Sequence, residues 1–323
     1  MDLRKDYAQI FLDARLDASE QIYFARELEY VKARTYDILY PQFKQRRLFP
    51  VSFEAGPWAE TIKYDQFDSV GIAKIISNYA TDFPRADIKG KEFRSTVKSV
   101  GAAYGYNIQE IRASQATGKR LEMRRADAAK RAHLQLERDI AFFGDAEHDI
   151  KGFLDNPNVL TGTVPVGAST NTEWSTKTPD EIIEDMNLVA NAPFNATNEV
   201  ENANTLLIPL AQWSYIASTP RSSTSDTSIL SYFLNVRREM GVPFEVIPVP
   251  QMKSGNYPAS LPYSGDLIIA YDRDPMKIQL EIPQDFEQTP PDRQAWDWVV
   301  STHQRIGGVI IYYPLSVAIY DGI

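Results

Sequence analysis

The sequence contains no cysteine and only three histidines, His133, His148 and His303, among its 323 residues. The lack of cysteine excludes disulfide bonds, thiolate metal sites and cysteine nucleophiles. The sequence also lacks the phosphate-binding motifs GxxxxGK(S/T) and GxGxxG, the GxSxG nucleophile motif and the HExxH zinc motif. We therefore predict no catalytic residue, no cofactor or cofactor-binding residue and no metal ligand, and hence a protein that is not an enzyme.

Long apolar runs are also missing. No stretch of about 18 uninterrupted apolar residues occurs, and the N-terminal segment is charged throughout. We therefore predict neither a membrane span nor a secretory signal, and we expect the chain to be made in the cytoplasm. If Met1 is the native start, no N-terminal scaffolding segment has been removed, and any scaffolding protein is a separate chain.

Positive charge is scarce in the second half of the sequence. The net charge is −9, and residues 151–323 carry twice as many acidic as basic side chains, whereas residues 1–150 are nearly balanced. Because close binding of phosphates needs a positive field, we do not expect the second half to coat itself on nucleic acid. The apolar fraction of 43% and the charged fraction of 24% are those of a globular protein.

Residues 119–143 have the composition of one long helix. The segment contains neither Gly nor Pro, is rich in Ala, Leu, Arg, Glu and Lys, and is bounded by Gly118 and Gly144. At about 1.5 Å per residue it would be roughly 37 Å long.

The remaining segments predict a mixture of helices and strands. Residues 1–46 read as amphipathic helix, 48–68 as irregular strand and loop, 71–100 as a hairpin with its tip at 82–90, and 102–118 as a short strand and turn. In a second body, Thr178, Pro179 and Glu181 predict the start of a helix that runs to residue 189. The body continues with strands at 205–208, 244–249, 267–271 and 277–282 and helices at 211–217 and 229–240, and residues 296–323 form three short strand-like runs.

The segment that follows the long helix identifies a family. Its sequence, Gly-Phe-Leu-Asp-Asn-Pro at 152–157, comes after the hairpin and the helix, and a closing run of strand-like residues occupies 307–323. In this order the segments resemble the encapsulin-like family of phage major capsid proteins, which share the Hong Kong 97-type capsid fold. The resemblance extends from about residue 48 to residue 323.

The resemblance implies an α+β fold with an N-terminal arm, an extended hairpin (E-loop), a long spine helix, a discontinuous peripheral (P) domain and an inserted A domain. Residues 1–47 would form the arm, 48–100 the extended region with its E-loop at about 70–100, and 101–165 the P domain with the spine helix. Residues 166–284 would form the A domain, and 285–323 the return strands of the P domain, beside the spine helix.

The function that the resemblance implies is that of a major capsid protein of a tailed phage. Its copies would assemble into hexamers and pentamers of an icosahedral shell around double-stranded DNA, with which they make loose, non-specific contact. Scaffolding, portal and decoration proteins would be further partners, no membrane would be involved, and the protein would reside in the virion capsid after assembly in the host cytoplasm. Two alternatives are an encapsulin nanocompartment shell enclosing a cargo enzyme and, from a different class, a soluble hydrolase.

A few polar groups have two interpretations. His148 with Asp145, Glu147 and Asp149 could suggest a metal site, but residues this close in sequence surround one ion poorly, which favours a turn after the helix. Carboxylate pairs such as Asp180 with Glu184, or Asp272 with Asp274, could suggest sugar hydrolysis but are common in any acidic chain.

Other side chains are candidates for contacts between molecules. The basic residues of the long helix outnumber its acidic ones, which indicates either a solvated face paired by neighbouring charges or a face that attracts DNA or a scaffolding protein. Tyr30, Tyr36 and Trp58 are candidate anchors between subunits, because such side chains give a large contact area at low entropy cost.

Overall fold

The computed structural model describes residues 43–70, 87–118, 121–222, 224 and 226–323. Phe43–Ile323 forms one compact unit. Most of the predicted N-terminal arm, with Tyr30 and Tyr36, lies outside the described residues, as do residues 71–86 of the predicted hairpin.

The described residues contain six α-helices and fourteen strands. The helices are α1 (Gln45–Leu48), α2 (Ile108–Thr117), α3 (Leu121–Phe143), α4 (Pro179–Ala196), α5 (Leu210–Ser218) and α6 (Ile229–Glu239). The strands are β1 (Val51–Ser52), β2 (Thr61–Val70), β3 (Asp87–Thr96), β4 (Lys98–Asn107), β5 (Leu160–Thr163), β6 (Thr205–Ile208), β7 (Glu245–Pro248), β8 (Leu267–Tyr271), β9 (Ile278–Glu281), β10 (Gln284–Gln288), β11 (Asp292–Gln294), β12 (Asp297–Ile306), β13 (Gly308–Ile311) and β14 (Val317–Asp321).

The central sheet has five strands in the order β5-β14-β8-β6-β7. Alternate residues of its strands face two different cores, because successive side chains of a strand point to opposite faces. Leu206, Ile268 and Ala318 pack with the helices α4, α5 and α6, whereas Leu207 and Ile269 pack on the other face, with the end of α3. Burial on both faces explains why β6 and β8 read as continuous apolar runs.

A second sheet, here called the outer sheet, lies beside α3. Its main pairing is antiparallel, from Lys98 opposite Ile306 to Asn107 opposite Asp297, and β10 and β11 pair along the other edge of β12. The strands β1, β9 and β13 form a small third sheet. The predicted long helix is confirmed as α3, which is about 34 Å long at 1.5 Å per residue.

The predicted hairpin is present but begins earlier in the sequence. Strands β2 and β3 pair antiparallel from Thr61 opposite Thr96 to Val70 opposite Asp87. Residues 48–68 were predicted as irregular strand and loop, and residues 61–68 instead belong to the regular strand β2. The predicted second limb is divided, because residues from Lys98 onward belong to β4 of the outer sheet.

The second body follows the prediction closely. Strands β6 and β8 have the predicted bounds, and α5 and α6 lie within one residue of them. Thr178 caps α4 as predicted: its side chain accepts from the Glu181 N–H, and the Glu181 carboxylate accepts from the Thr178 N–H at 2.7 Å. The helix continues past the predicted end at residue 189 to Ala196, because its buried face continues through Ala190 and Pro193.

Two elements differ from prediction. Residues 108–117 form helix α2 rather than a strand and turn, since Asn107 and Glu110 make a capping box at its start. The last of the three closing runs does not return to the sheet beside α3. Instead β14 lies inside the central sheet, parallel to β5 and antiparallel to β8.

Candidate assembly joints around the spine helix

The C-terminal end of α3 is capped by the backbone of the motif at 152–157. The last carbonyls of a helix have no partner within the helix. Here the Phe153 N–H donates to the Ala141 carbonyl and the Leu154 N–H to the Phe142 carbonyl, each at 2.9 Å. Gly144, with a φ of 71°, turns the chain out of the helix. The motif therefore joins the helix end rigidly to the chain that follows it.

Gly152 is required in this joint because no space exists for a side chain. A Cβ atom at this position would lie 2.2 Å from the Gly144 nitrogen and 2.5 Å from the Phe143 carbonyl carbon. Both are backbone atoms of the helix end, which cannot move aside as a flexible side chain would. The motif thus requires glycine at this position for a steric reason.

An aromatic cluster lies under the same joint. The ring centroids of Phe49 and Phe153 are 4.9 Å apart, and those of Phe49 and Phe142 are 5.4 Å apart. Tyr271 of β8 lies 5.3 Å from Phe153, and its hydroxyl donates to the Leu48 carbonyl at 2.8 Å. Burial raises the pKa of Tyr271, which keeps the phenol protonated. The cluster connects the helix end, the central sheet and the chain segment before β1.

That chain segment, residues 44–49, forms a second joint, which centres on a buried ion pair. Glu137 of α3 is 0% exposed, and Arg46 donates to it through Nε at 2.8 Å and Nη2 at 2.7 Å. Gln45 and Gln304 donate to the same carboxylate at 3.1 and 2.7 Å. Arg46 also donates to both oxygens of Asp285, at 2.7 and 3.0 Å.

The charged groups of this network stabilise one another in their ionised forms. The hydrogen bonds to Glu137 and Asp285 raise the pKa of Arg46, and its guanidinium lowers the pKa of Asp285. A buried carboxylate is tolerated only when it is paired and fully hydrogen-bonded, as Glu137 is. The network holds α1, α3, β10 and β12 together. No local signal marked Glu137, because its partners lie 91 or more residues away in the sequence.

The groups considered for metal binding or catalysis have structural partners. His148 Nδ1 lies 2.7 Å from Asp145 Oδ2 in the turn after α3, and this hydrogen bond lowers the pKa of Asp145. Asp272 pairs with Lys277 at 2.6 Å, and Asp180 lies 3.6 Å from Arg221. No group of three His, Asp or Glu side chains within the described ranges is placed to hold a metal ion.

Two basic side chains of α3 are paired by neighbouring charges. Arg125 donates to both oxygens of Glu110, at 2.9 and 3.0 Å, and Arg138 donates to Asp139 at 2.7 Å. For these residues the interpretation of a charge-paired face is confirmed.

Large aromatic side chains lie on the surface near the hairpin and the outer sheet. Trp58, before β2, is 84% exposed, and Trp296, between β11 and β12, is 67% exposed. At the root of the hairpin, Tyr64 stacks on Phe93 at 5.2 Å and meets the edge of Tyr312 at 4.9 Å. Trp58 therefore remains a candidate anchor between subunits, and Trp296 is a second one.

The sequence model of the major capsid protein family matches residues 71–323. The chain belongs to the major capsid protein family. Solved phage capsids share its fold across nearly the whole chain. The capsid of Myoviridae phage XM1 is similar with a TM-score of 0.77 at 14% identity, covering 93% of this chain and 98% of that one. Mycobacterium phage Adephagia gives a TM-score of 0.61 at 12% identity, covering 93% and 96%.

No curated protein matches the sequence. The predicted family and the predicted Hong Kong 97-type capsid fold are confirmed. The capsid protein is therefore a structural subunit of a phage virion shell, and the comparisons favour neither the nanocompartment nor the soluble hydrolase. None of the helices in the described residues is long and apolar enough to cross a membrane.

Proposed function

We propose that copies of this capsid protein form hexamers and pentamers, which together build an icosahedral shell around the double-stranded DNA genome of a tailed phage. The observation that carries the proposal is the hairpin of β2 and β3, which makes no ladder with any other strand of the described structure.

Beyond its root, where Tyr64 meets Tyr312, the described part of this hairpin is exposed on both faces. The successive residues Asp65 and Gln66 of β2 point to opposite faces and are both exposed, and so are Lys91 and Glu92 of β3. An isolated two-stranded ribbon is only marginally stable in water. The missing support is the surface of a neighbouring copy.

The parts of the subunit divide the work of assembly in this proposal. Residues 166–284 act as the A domain and close the capsomer around its axis, while the hairpin within 48–100 overlaps the neighbour. The arm at 1–47 and the P domain, 101–165 with 285–323, bridge between capsomers. Each contact can be weak, because a subunit held at several sites at once leaves the shell only when all of them open.

Trp58 and Trp296 anchor two of these contacts. Buried tryptophans dominate the binding energy of many interfaces. The two side chains lie outside both hydrophobic cores, so their role in folding is small.

Contact with DNA is loose and non-specific in this proposal. The net charge of −9 gives the subunit no overall positive field for close phosphate binding, and Arg125 and Arg138 are already paired with carboxylates. Catalysis and cofactors have no part in this function. Assembly takes place in the host cytoplasm, with separate scaffolding, portal and decoration proteins as partners.

Electron microscopy and sedimentation of the purified protein test the proposal. We expect closed icosahedral particles, and a subunit of about 37 kDa that stays monomeric even with scaffolding protein supplied would contradict it. Trp58→Ala and Trp296→Ala should lower the yield of particles without changing the urea midpoint of the free subunit.

A further inference from the structure

A small cavity between α3 and the outer sheet contains two buried hydrogen-bond acceptors. The cavity has a volume of about 170 Å³, and its lining includes His133 of α3 and Gln304 of β12, which are 2% and 1% exposed. His133 Nδ1 and Gln304 Oε1 have no hydrogen-bond partner within the described part of the chain. Because an unpaired buried acceptor lowers the stability of a fold, this cavity calls for a hydrogen-bond donor.

Neighbouring hydrogen bonds fix both groups as acceptors. The Thr302 hydroxyl donates its single hydrogen to the Ala102 carbonyl at 2.7 Å, so it accepts from His133 Nε2, which lies 2.9 Å away. The neutral ring then has a lone pair on Nδ1. Burial is the main cause that lowers the pKa of His133, which favours this neutral ring. Gln304 keeps its oxygen toward the cavity, because its Nε2 donates to Glu137 at 2.7 Å.

A lysine ammonium borders the same cavity. Lys130 belongs to the lining, is exposed, and precedes His133 by three residues on α3, which places the two side chains on one face of the helix. Lys130 makes no hydrogen bond or ion pair with any residue that the structure describes. An ammonium group has three N–H donors and no acceptor, so it complements the two acceptors in the cavity.

The charges around the cavity also favour a second cation. Arg46 pairs with the carboxylates of Glu137 and Asp285, at 2.7 Å each, which sets one positive charge against two negative ones. The ammonium of Lys130 makes this balance even. Its hydrogen bonds make Arg46 the main cause of the lowered pKa of Asp285, and the charge of Lys130 acts in the same direction. The ammonium is thus already within electrostatic reach of the ion pairs.

We propose that the Lys130 side chain turns into this cavity, where its ammonium donates hydrogen bonds to His133 Nδ1 and Gln304 Oε1 and so ties α3 to β12. The movement is a change of side-chain rotamer. The aliphatic stem of the lysine covers Leu134 and Phe286, which line the same cavity.

The inward position of Lys130 changes the surface that α3 offers to other molecules. The basic side chains of α3 outnumber its acidic ones and could attract DNA or a scaffolding protein. A lysine whose ammonium is bound inside the subunit no longer belongs to that surface. The inference concerns the single subunit and does not depend on how copies assemble.

Acetylation of the free full-length subunit by trace acetic anhydride, followed by peptide mass spectrometry, gives a separate rate for each lysine. Lys98 is exposed and serves as the reference, and Lys177, whose side chain is 1% exposed, gives the rate of a buried lysine. Since only the outward side chain reacts, we expect Lys130 to react about 10-fold more slowly than Lys98. Equal rates for Lys130 and Lys98 would overturn the proposal, and this measurement needs no variant to fold.

Urea unfolding of the free subunit gives the second readout. Lys130→Met keeps an unbranched apolar stem but removes the donors, so both acceptors in the cavity lose their partner. The unfolding constant should rise about 10-fold. Lys98→Met removes an exposed ammonium from β4 and should leave the unfolding constant close to that of the wild type. A Lys130→Met subunit that is as stable as Lys98→Met would refute the proposal.

Discussion

Replacement of Gly152 by alanine tests the joint at the end of α3. The added Cβ would lie 2.2 Å from the Gly144 nitrogen, so the backbone of the motif must move. That movement breaks the hydrogen bonds from Phe153 to Ala141 and from Leu154 to Phe142. Each bond contributes about 1 kcal/mol, and overpacking adds about 1–3 kcal/mol. The expected loss of unfolding free energy is therefore about 3–5 kcal/mol, a large part of the total for a protein of this kind.

The same substitution at Gly101 is a matched control. Gly101 lies in β4, and its added Cβ would meet only the Thr302 carbonyl oxygen at 3.5 Å, an ordinary contact. Because alanine restricts the unfolded chain more than glycine does, Gly101→Ala should leave stability unchanged or raise it by about 0.5 kcal/mol. Urea unfolding of the free subunit, followed by tryptophan fluorescence, measures both changes. If Gly152→Ala lies within 1 kcal/mol of Gly101→Ala, the steric argument is wrong.

Three further substitutions test the buried polar groups by urea unfolding. Glu137→Gln removes the charge that Arg46 faces in a fully buried site and should lower the free energy of unfolding by about 3 kcal/mol. Glu92→Gln, on the exposed hairpin, is the control and should have no effect. Equal effects of the two substitutions would count against the ion-pair joint. Tyr271→Phe leaves the Leu48 carbonyl without its donor and should lower stability by about 1–2 kcal/mol, and an unchanged midpoint would mean that water replaces the hydroxyl. Burial raises the pKa of Glu281, so its ionised form destabilises the fold above the ordinary pKa of a glutamate. Glu281→Gln should therefore be more stable than the wild type at pH 8 and lose this advantage toward pH 4. A difference in stability that stays constant with pH would contradict the raised pKa.

The fully buried strands and the capped helices could be predicted from the sequence. The apolar runs of β6 and β8 have that pattern because both faces of the central sheet are covered, and α4 begins with a complete capping box. Such signals are local, so each can be read without the rest of the chain.

The parts that could not be predicted depend on distant partners. Strands β10 and β11 are polar and exposed, and only their pairing with β12 makes them strands. The Glu137 joint could not be predicted for the same reason, since nothing near Glu137 in the sequence shows that Arg46 and Gln304 will surround it. The motif at 152–157 could be recognised by its order after the long helix, but its role as a helix cap required the backbone geometry.

The position of β14 has a consequence for chains whose synthesis stops early. Residues 317–321 are translated after every other strand of the central sheet, yet they lie between β5 and β8. A chain cut short before residue 317 keeps an open gap where β14 should lie, so β5 has no partner strand among the described residues and β8 keeps an unpaired edge. We therefore expect a chain that ends before residue 317 to leave the central sheet incomplete, with its apolar faces poorly covered.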